Sequence, residues 1–289
     1  MKKWMLLSGL LVLLICGYFL FFFPFAVSRT FSGVSTLSAA NRCFHDTSRW
    51  AEWWPKSSGI TYKILGLTYS EVKVSVGLAD GTQVAGVFRI APLNGDSIIF
   101  QGECSLPGYH RRAEMGRRME AIVDSFGAFV RDPKNVYGVN FHRSMSHDST
   151  LIAIVSEFAA YPGTDVVYRK IDSLKAYIAS ERAEATGFPW LNVTRKADGT
   201  YKMTVAMPTN RRLPGKGSIV SQRFVPWKMI EGDVYGGPYA VEKALRQMQL
   251  YKLDYIMTIV AMPYQYLMID RRQQPDTTKW VTRVCAPIT

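Results

Sequence analysis

The side chains most able to meet a ligand are aromatic. Trp190, Tyr239, Tyr264 and Trp280 stand at landmarks that recur along the C-terminal half, and Gln265 follows the third of them. Trp50, Trp53 and Trp54 crowd one stretch further upstream. Flat rings bury large areas and stack on apolar or aromatic molecules, so these positions point to binding clefts. Met115 and Met119, one helical turn apart, would add an adaptable apolar lining. Each set has a plainer alternative, because tryptophan clusters and helical methionine stripes also build cores.

Bond-making chemistry has less support. None of His45, His110, His142 and His147 has the i, i+4 partner of a helical zinc pair, and only Asp148 lies close to two of them. Cys16, Cys43, Cys104 and Cys285 lack metal spacing, and the three outside the N-terminal apolar run are an odd number for a disulfide framework. No Gly-x-Ser-x-Gly elbow and no phosphate-cradling glycine loop occurs. An enzyme reading would use Glu52 or Asp270 as its acid, yet neither has a base at a known spacing. The pattern favours binding over turnover and implies no cofactor and no metal.

The aromatic landmarks sit in a duplicated stretch. Gly237-Pro238-Tyr239 answers Tyr161-Pro162-Gly163, Pro263-Tyr264 answers Pro189-Trp190, and Pro287 answers Pro208. The offsets are 238 − 162 = 76, 263 − 189 = 74 and 287 − 208 = 79, a repeat of about 75 residues. Each copy reads as strand, helix, strand, strand. Ile171, Leu174 and Ile178, then Val241, Ala244, Leu245 and Met248, mark the helices. Tyr201-Met203-Val205 and Val281-Arg283-Cys285 mark the last strands by alternation. Two such units bury their sheet faces by pairing about a pseudo-twofold axis, which leaves a cleft between them.

Gly236-Gly237-Pro238-Tyr239, Pro263-Tyr264-Gln265, Asp270-Arg271 and the run from Trp280 to Pro287 resemble the second half of a GyrI-like domain. The resemblance covers roughly residues 135–289 and places a small-molecule-binding domain at 134–289. It implies an effector-binding module whose cleft takes small, often cationic or aromatic ligands, with a glutamate on the strand matching Tyr264–Ile269. Here that position is Gln265 and its repeat mate is Leu191. An amide orients a ligand by hydrogen bonding and brings no charge, so the expected ligand is neutral.

Upstream, Met5 to Val27 is a nearly unbroken apolar run of 23 residues, preceded by Lys2 and Lys3 and ending near Phe21-Phe22-Phe23. It is long enough to span a bilayer, so residues 1–27 read as a transmembrane signal anchor with the N-terminus cytoplasmic and the bulk outside. A cleaved signal peptide, with Ala26 and Ser28 at the cut, is the competing reading. Residues 28–133 then read as a strand, a short helical stretch, four strand-like runs (Thr61–Leu65, Val72–Val76, Val84–Ile90, Ser97–Cys104) and a long helix after Pro107-Gly108. Ala79-Asp80-Gly81 and Leu93-Asn94-Gly95-Asp96 are hairpin signals between the strands. This order, with Trp50, Trp53, Trp54 and Pro55, resembles the START-like (Bet v 1-like, polyketide cyclase-like) fold, whose sheet grips a long helix around an apolar cavity. A turn-like break at Asp132-Pro133-Lys134-Asn135 separates the two modules.

The fold class is thus α+β: an anchor helix, a helix-grip domain and a duplicated domain. The formal charge of +12 implies anionic surroundings. Basic pairs such as Arg117-Arg118 and Arg211-Arg212 lack any accompanying nucleic-acid-binding module, so lipid head groups fit better than DNA. The expected partners are a small apolar or aromatic molecule and membrane lipid, with no nucleic acid. A cyclase- or hydrolase-like enzyme and an envelope sensor or scaffold are the alternatives.

Overall fold

Proline and ring packing end the first helix. The computed structural model describes residues 2–56, 59–77, 81–146, 150–223 and 227–289; Ala79 and Asp80 of one hairpin signal, and His147 and Asp148, lie outside them. Helix α1 (Lys2–Phe21) closes where the Phe22 and Phe23 amides both return to the Tyr18 carbonyl, at 2.8 and 3.0 Å. Pro24 has no N–H to continue it and opens β1 (Pro24–Val34) instead. Phe23, Phe25 and Tyr109 follow edge to face at 5.3 Å each. Among the described residues no helix is long and apolar enough to cross a membrane.

The chain divides into two units, Met1–Val136 and Tyr137–Thr289. In the first, β1 joins β2 (Thr61–Leu67), β3 (Glu71–Gly77), β4 (Gln83–Asn94) and β5 (Ser97–Pro107) in an antiparallel sheet of order β1-β5-β4-β3-β2. Val72, Val74 and Val76 alternate into its core. Helix α2 (Leu37–His45) starts at Thr36, whose hydroxyl accepts from the Ala39 amide at 3.2 Å. A four-residue helix, α3 (Trp50–Trp53), follows. Helix α4 (Arg112–Arg131) buries Met115, Met119, Ile122, Val123, Phe126 and Val130, the stripe its spacing predicts. It lies close on β1: a Cβ on Gly127 would come within 2.5 Å of the Phe31 ring.

Between sheet and helix lies a ring stack. Phe126 of α4 meets Phe100 at 4.3 Å and Trp53 at 4.9 Å, Trp50 stacks on Trp54 at 5.8 Å, and Trp54 meets Tyr62 at 4.6 Å. The indole N–H groups of Trp50 and Trp54 donate to the carbonyls of Phe44 (2.7 Å) and Ile60 (3.0 Å).

Helix α5 (Pro133–Tyr137) straddles the division between units. Val136 packs on the first core, whereas the Tyr137 hydroxyl donates to Asp254 at 2.6 Å and its ring meets Tyr251. The second unit then runs β6 (His142–Met145), β7 (Thr150–Phe158), α6 (Thr164–Ser180), β8 (Trp190–Arg195), β9 (Tyr201–Pro208), β10 (Ile219–Arg223), β11 (Lys228–Tyr235), α7 (Pro238–Asp254), β12 (Tyr264–Leu267) and β13 (Val281–Pro287). Its antiparallel sheet has the order β10-β7-β9-β8-β12-β13-β11-β6, a palindrome of two strand–helix–strand–strand copies.

The copies match in detail. Both helices have 17 residues and start 74 apart (238 − 164), and each is followed, just past its C-cap, by a residue with φ of 52°, Arg182 and Ile256, again 74 apart (256 − 182). Past each, an amide reaches back five residues, Ala183 to Ile178 (3.1 Å) and Met257 to Lys252 (2.9 Å), which satisfies the helix-end carbonyls. This register corrects one sequence landmark. Pro238 is the first residue of α7, whereas Pro162 precedes the Gly163 cap of α6, so the offset of 76 compared unlike positions. Strands β8 and β12 pair with Gln265 opposite Leu191, repeat mates facing each other, so the pseudo-twofold axis passes through that pair.

Candidate ligand cleft

Strand alternation decides which landmarks can reach a cleft. Leu191 and Leu267 face α6 and its Ile171 and Leu174. Trp190 and Tyr264 point to the opposite face, where their rings stack at 4.1 Å and 7° among Ala206, Met229 and Cys285. Gln265 lies on the helix side, 7% exposed, on the floor of a cleft of about 490 Å³. The first copy supplies Tyr161, Val193, Arg195 and Tyr201 to this cleft; the second adds Pro238, Tyr239, Val241, Glu242 and Leu245. Tyr239, in the first turn of α7, is 73% exposed at the rim.

A narrow recess of about 20 Å³ continues from it, sharing Tyr161, Val193 and Pro238 and adding Tyr168 and Arg271. Trp280 lines neither space; it lies beneath Arg271, whose guanidinium sits 4.7 Å from the ring centre. A second hollow of about 430 Å³ on the other sheet face is bordered by Tyr264, Tyr266, Met229 and Glu231. Its charges are matched: His142 Nε2 lies 3.1 Å from Glu231, and Arg283 Nε donates to Asp233 at 2.7 Å. The aromatic candidates read from the sequence thus part company. Gln265 and Tyr239 meet in the cleft, Trp190 and Tyr264 stack behind the sheet, and Trp280 backs an arginine. Trp50, Trp53, Trp54, Met115 and Met119 are packed in the core of the first unit, none more than 6% exposed.

The charged residues of the cleft were missed by sequence reasoning. Glu242 lines it, and Arg246 Nη1 holds its carboxylate at 2.5 Å, one turn along α7. Arg271 is only 9% exposed. Its Nη2 donates to the Thr282 hydroxyl at 2.8 Å and its backbone N–H to the Tyr168 hydroxyl at 2.8 Å, while Tyr168 donates to the Ile269 carbonyl at 2.9 Å. Its Nε is buried with no hydrogen-bond partner among the described residues. Burial lowers the Arg271 pKa from its ordinary value, partly offset by the Tyr168 and Tyr161 phenols. Burial likewise raises the pKa of Tyr161 and Tyr168. The neighbouring Asp270 is taken by Arg272, which holds its carboxyl below the usual range and also pairs with Asp172 at 2.7 Å. The one sequence signal for Arg271 was its place in the Asp270-Arg271 dipeptide.

No family model matches the chain, and no curated protein matches it. Solved structures are similar at low identity. The EcmrR–DNA complex aligns at 10% identity over 62% of this chain and 70% of that one, with a TM-score of 0.47. SAV2435 bound to tetraphenylphosphonium aligns at 14% identity over 52% and 93%, with a TM-score of 0.34. A hydrolase from Listeria innocua aligns at 10% identity over 52% and 91%, with a TM-score of 0.39. The palindromic strand order of the second unit stands on its own geometry.

Proposed function

We propose that the chain is a membrane-anchored small-molecule-binding protein whose ligand occupies the cleft floored by Gln265. One observation carries this. A hollow of about 490 Å³ at a pseudo-twofold axis, walled by Tyr161, Tyr201, Tyr239 and aliphatic side chains together with Arg195 and Glu242, has the size and lining of a ligand site. Binding without turnover fits best, because among the described residues the one carboxylate lining the cleft, Glu242, is held by Arg246. The second unit is read as a GyrI-like module and the first as a START-like one.

Residues 1–27 are read as the anchor, with the bulk of the chain outside the cytoplasm. In support, α1 is 20 residues long, about 30 Å, and its leucines and the phenylalanines that follow stand exposed, Leu13 at 71% and Phe22 at 69%. We read no nucleic-acid partner, since Arg118 is held by Glu114 at 2.6 Å and Arg211 by the Glu181 carbonyl. The test is calorimetric titration of the full chain with an uncharged naphthalene, beside Tyr239→Ala. Saturable binding by wild type that weakens several-fold in the variant supports the cleft. Binding that ignores Tyr239 refutes it. Resistance to carbonate extraction tests the anchor, and a mature N-terminus at Arg29 refutes it.

A further inference from the structure

We propose that Arg271 makes this cleft selective for anions, so that its ligand is a small aromatic or apolar molecule bearing a carboxylate. The inference rests on the cleft reading above and names the ligand's charge.

The chain pairs its arginines elsewhere. Arg49, Arg89, Arg272 and Arg283 each hold a carboxylate, at 3.2, 2.9, 2.7 and 2.7 Å, and all four are partly open to water. Arg271 is buried, the setting where an unpaired charge is most costly, and no described carboxylate engages it. The acid beside it in sequence, Asp270, is occupied by Arg272 at 2.8 Å. Arg271 is also held still: Thr282 takes Nη2, Trp280 covers one face, and Tyr168 fixes its backbone N–H. What remains is the buried Nε, without a partner among the described residues, in an arginine that borders the recess opening from the cleft. A planar guanidinium with free N–H directions matches a carboxylate oxygen.

The described acid of the cleft wall, Glu242, is held by Arg246, and the surroundings of the recess itself are positive. Helix α7 begins at the recess with Pro238, carrying no side-chain cap and no acidic residue in its first turn, so its positive end is unopposed. The recess, at about 20 Å³, has room for one oxygen-sized group. The wider cleft, with Tyr161, Tyr201 and Tyr239, takes the apolar body. A neutral ligand would leave the arginine unanswered, and a cation would meet it as a like charge.

The test uses the full chain in nonionic detergent, with protein-free micelles as blank, titrated with three probes of one shape. These are 1-naphthoate, 1-naphthamide and 1-naphthylmethylammonium, all measured by calorimetry at pH 7.5. Wild type is expected to bind naphthoate at least tenfold more tightly than the amide, and the ammonium most weakly. Arg271→Met is expected to abolish the naphthoate preference, weakening naphthoate far more than the amide, so that the two bind within about twofold of each other. Arg271→Lys, which keeps the charge and loses the fork, should weaken naphthoate several-fold only. Circular dichroism checks that the variants fold. Should Arg271→Met unfold, the wild-type ranking and the lysine variant still decide. If wild type binds the amide as tightly as naphthoate, the role of Arg271 is refuted and the cleft survives. If no probe binds, the cleft reading falls and takes this inference with it.

Discussion

Replacing Ile256 by glycine should stabilise the second unit. Ile256 follows α7 with φ of 52°, the left-handed region that L-residues enter at a cost of about 1–2 kcal/mol, more for a β-branched one. Its side chain is 90% exposed, so removing it forfeits almost no burial. Glycine relieves the strain but adds unfolded-state freedom worth about 0.5–1 kcal/mol, which leaves a net gain of about 0.5–1 kcal/mol. The backbone bonds should persist, because the Tyr255, Ile256 and Met257 amides return to Tyr251, Leu253 and Lys252 regardless of the side chain. The assay is native-state hydrogen exchange of these three amides in the full chain. They should slow by about two- to fivefold, since 1.4 kcal/mol corresponds to tenfold. Gly199, at φ of 85° between β8 and β9, supplies the opposite control: Gly199→Ala should destabilise by about 1–2 kcal/mol. Faster exchange in Ile256→Gly would refute the reasoning, because it would mean that the isoleucine side chain contributes more than its backbone costs.

Other outcomes follow from the same geometry. Phe126→Ala should cost about 3–5 kcal/mol, read from the urea midpoint of the first unit, because Phe126 contacts both Phe100 and Trp53 in a closed core. Tyr168→Phe strands the Arg271 amide and should cost about 1–3 kcal/mol, visible as faster exchange at residue 271. Burial raises the Cys104 thiol from 9.0 to about 11. The folded state therefore keeps a proton that the unfolded chain releases, and its stabilising effect, complete below pH 9, is lost as pH rises towards 11. Stability from urea unfolding should fall further between pH 8 and 11 for wild type than for Cys104→Ala, by about 2 kcal/mol. Gln265→Glu puts a carboxylate on the cleft floor and should shift preference towards cationic aromatics by about 1–3 kcal/mol, read by the naphthalene titrations.

Periodic features were legible because local chemistry dictates them. The stripe Met115 to Val130 could face only one way on a helix, and Leu93-Asn94-Gly95-Asp96 joins β4 to β5 as its turn residues require. The duplication was legible through its prolines, although the matched helix ends show that Pro162 was the wrong marker. Strands β6 and β10 went unread. Each is five residues or fewer, pairs with one neighbour and takes its conformation from the sheet edge rather than its own sequence. The faces of Trp190 and Gln265 depend on strand register, where a shift of one residue exchanges cleft for core.

Arg271 was the least legible residue, and the reason lies in how the copies diverged. The repeat offset is 264 − 190 = 74 where β8 matches β12, and 287 − 208 = 79 where β9 matches β13. Five extra residues therefore lie in the connection 268–280 of the second copy, which carries Asp270, Arg271 and Arg272. That connection is tied to α6 of the first copy, through the Tyr168 hydroxyl and through Arg272, which pairs with Asp172 and stacks over Tyr168 at 4.6 Å. A symmetric pair of copies would offer a ligand two equal half-sites across the axis. The insertion ends that equality: only the second copy folds back an arginine, and only one side of the axis carries an amide, Gln265, against the Leu191 of its mate. Such a cleft is unequal about its axis: beyond the Arg195 and Glu242 of its wall, one buried arginine, Arg271, borders the recess at one end. A ligand with a single charged group can then bind in one orientation only, which is what distinguishes recognition from the greasy accommodation a symmetric aromatic cleft would provide.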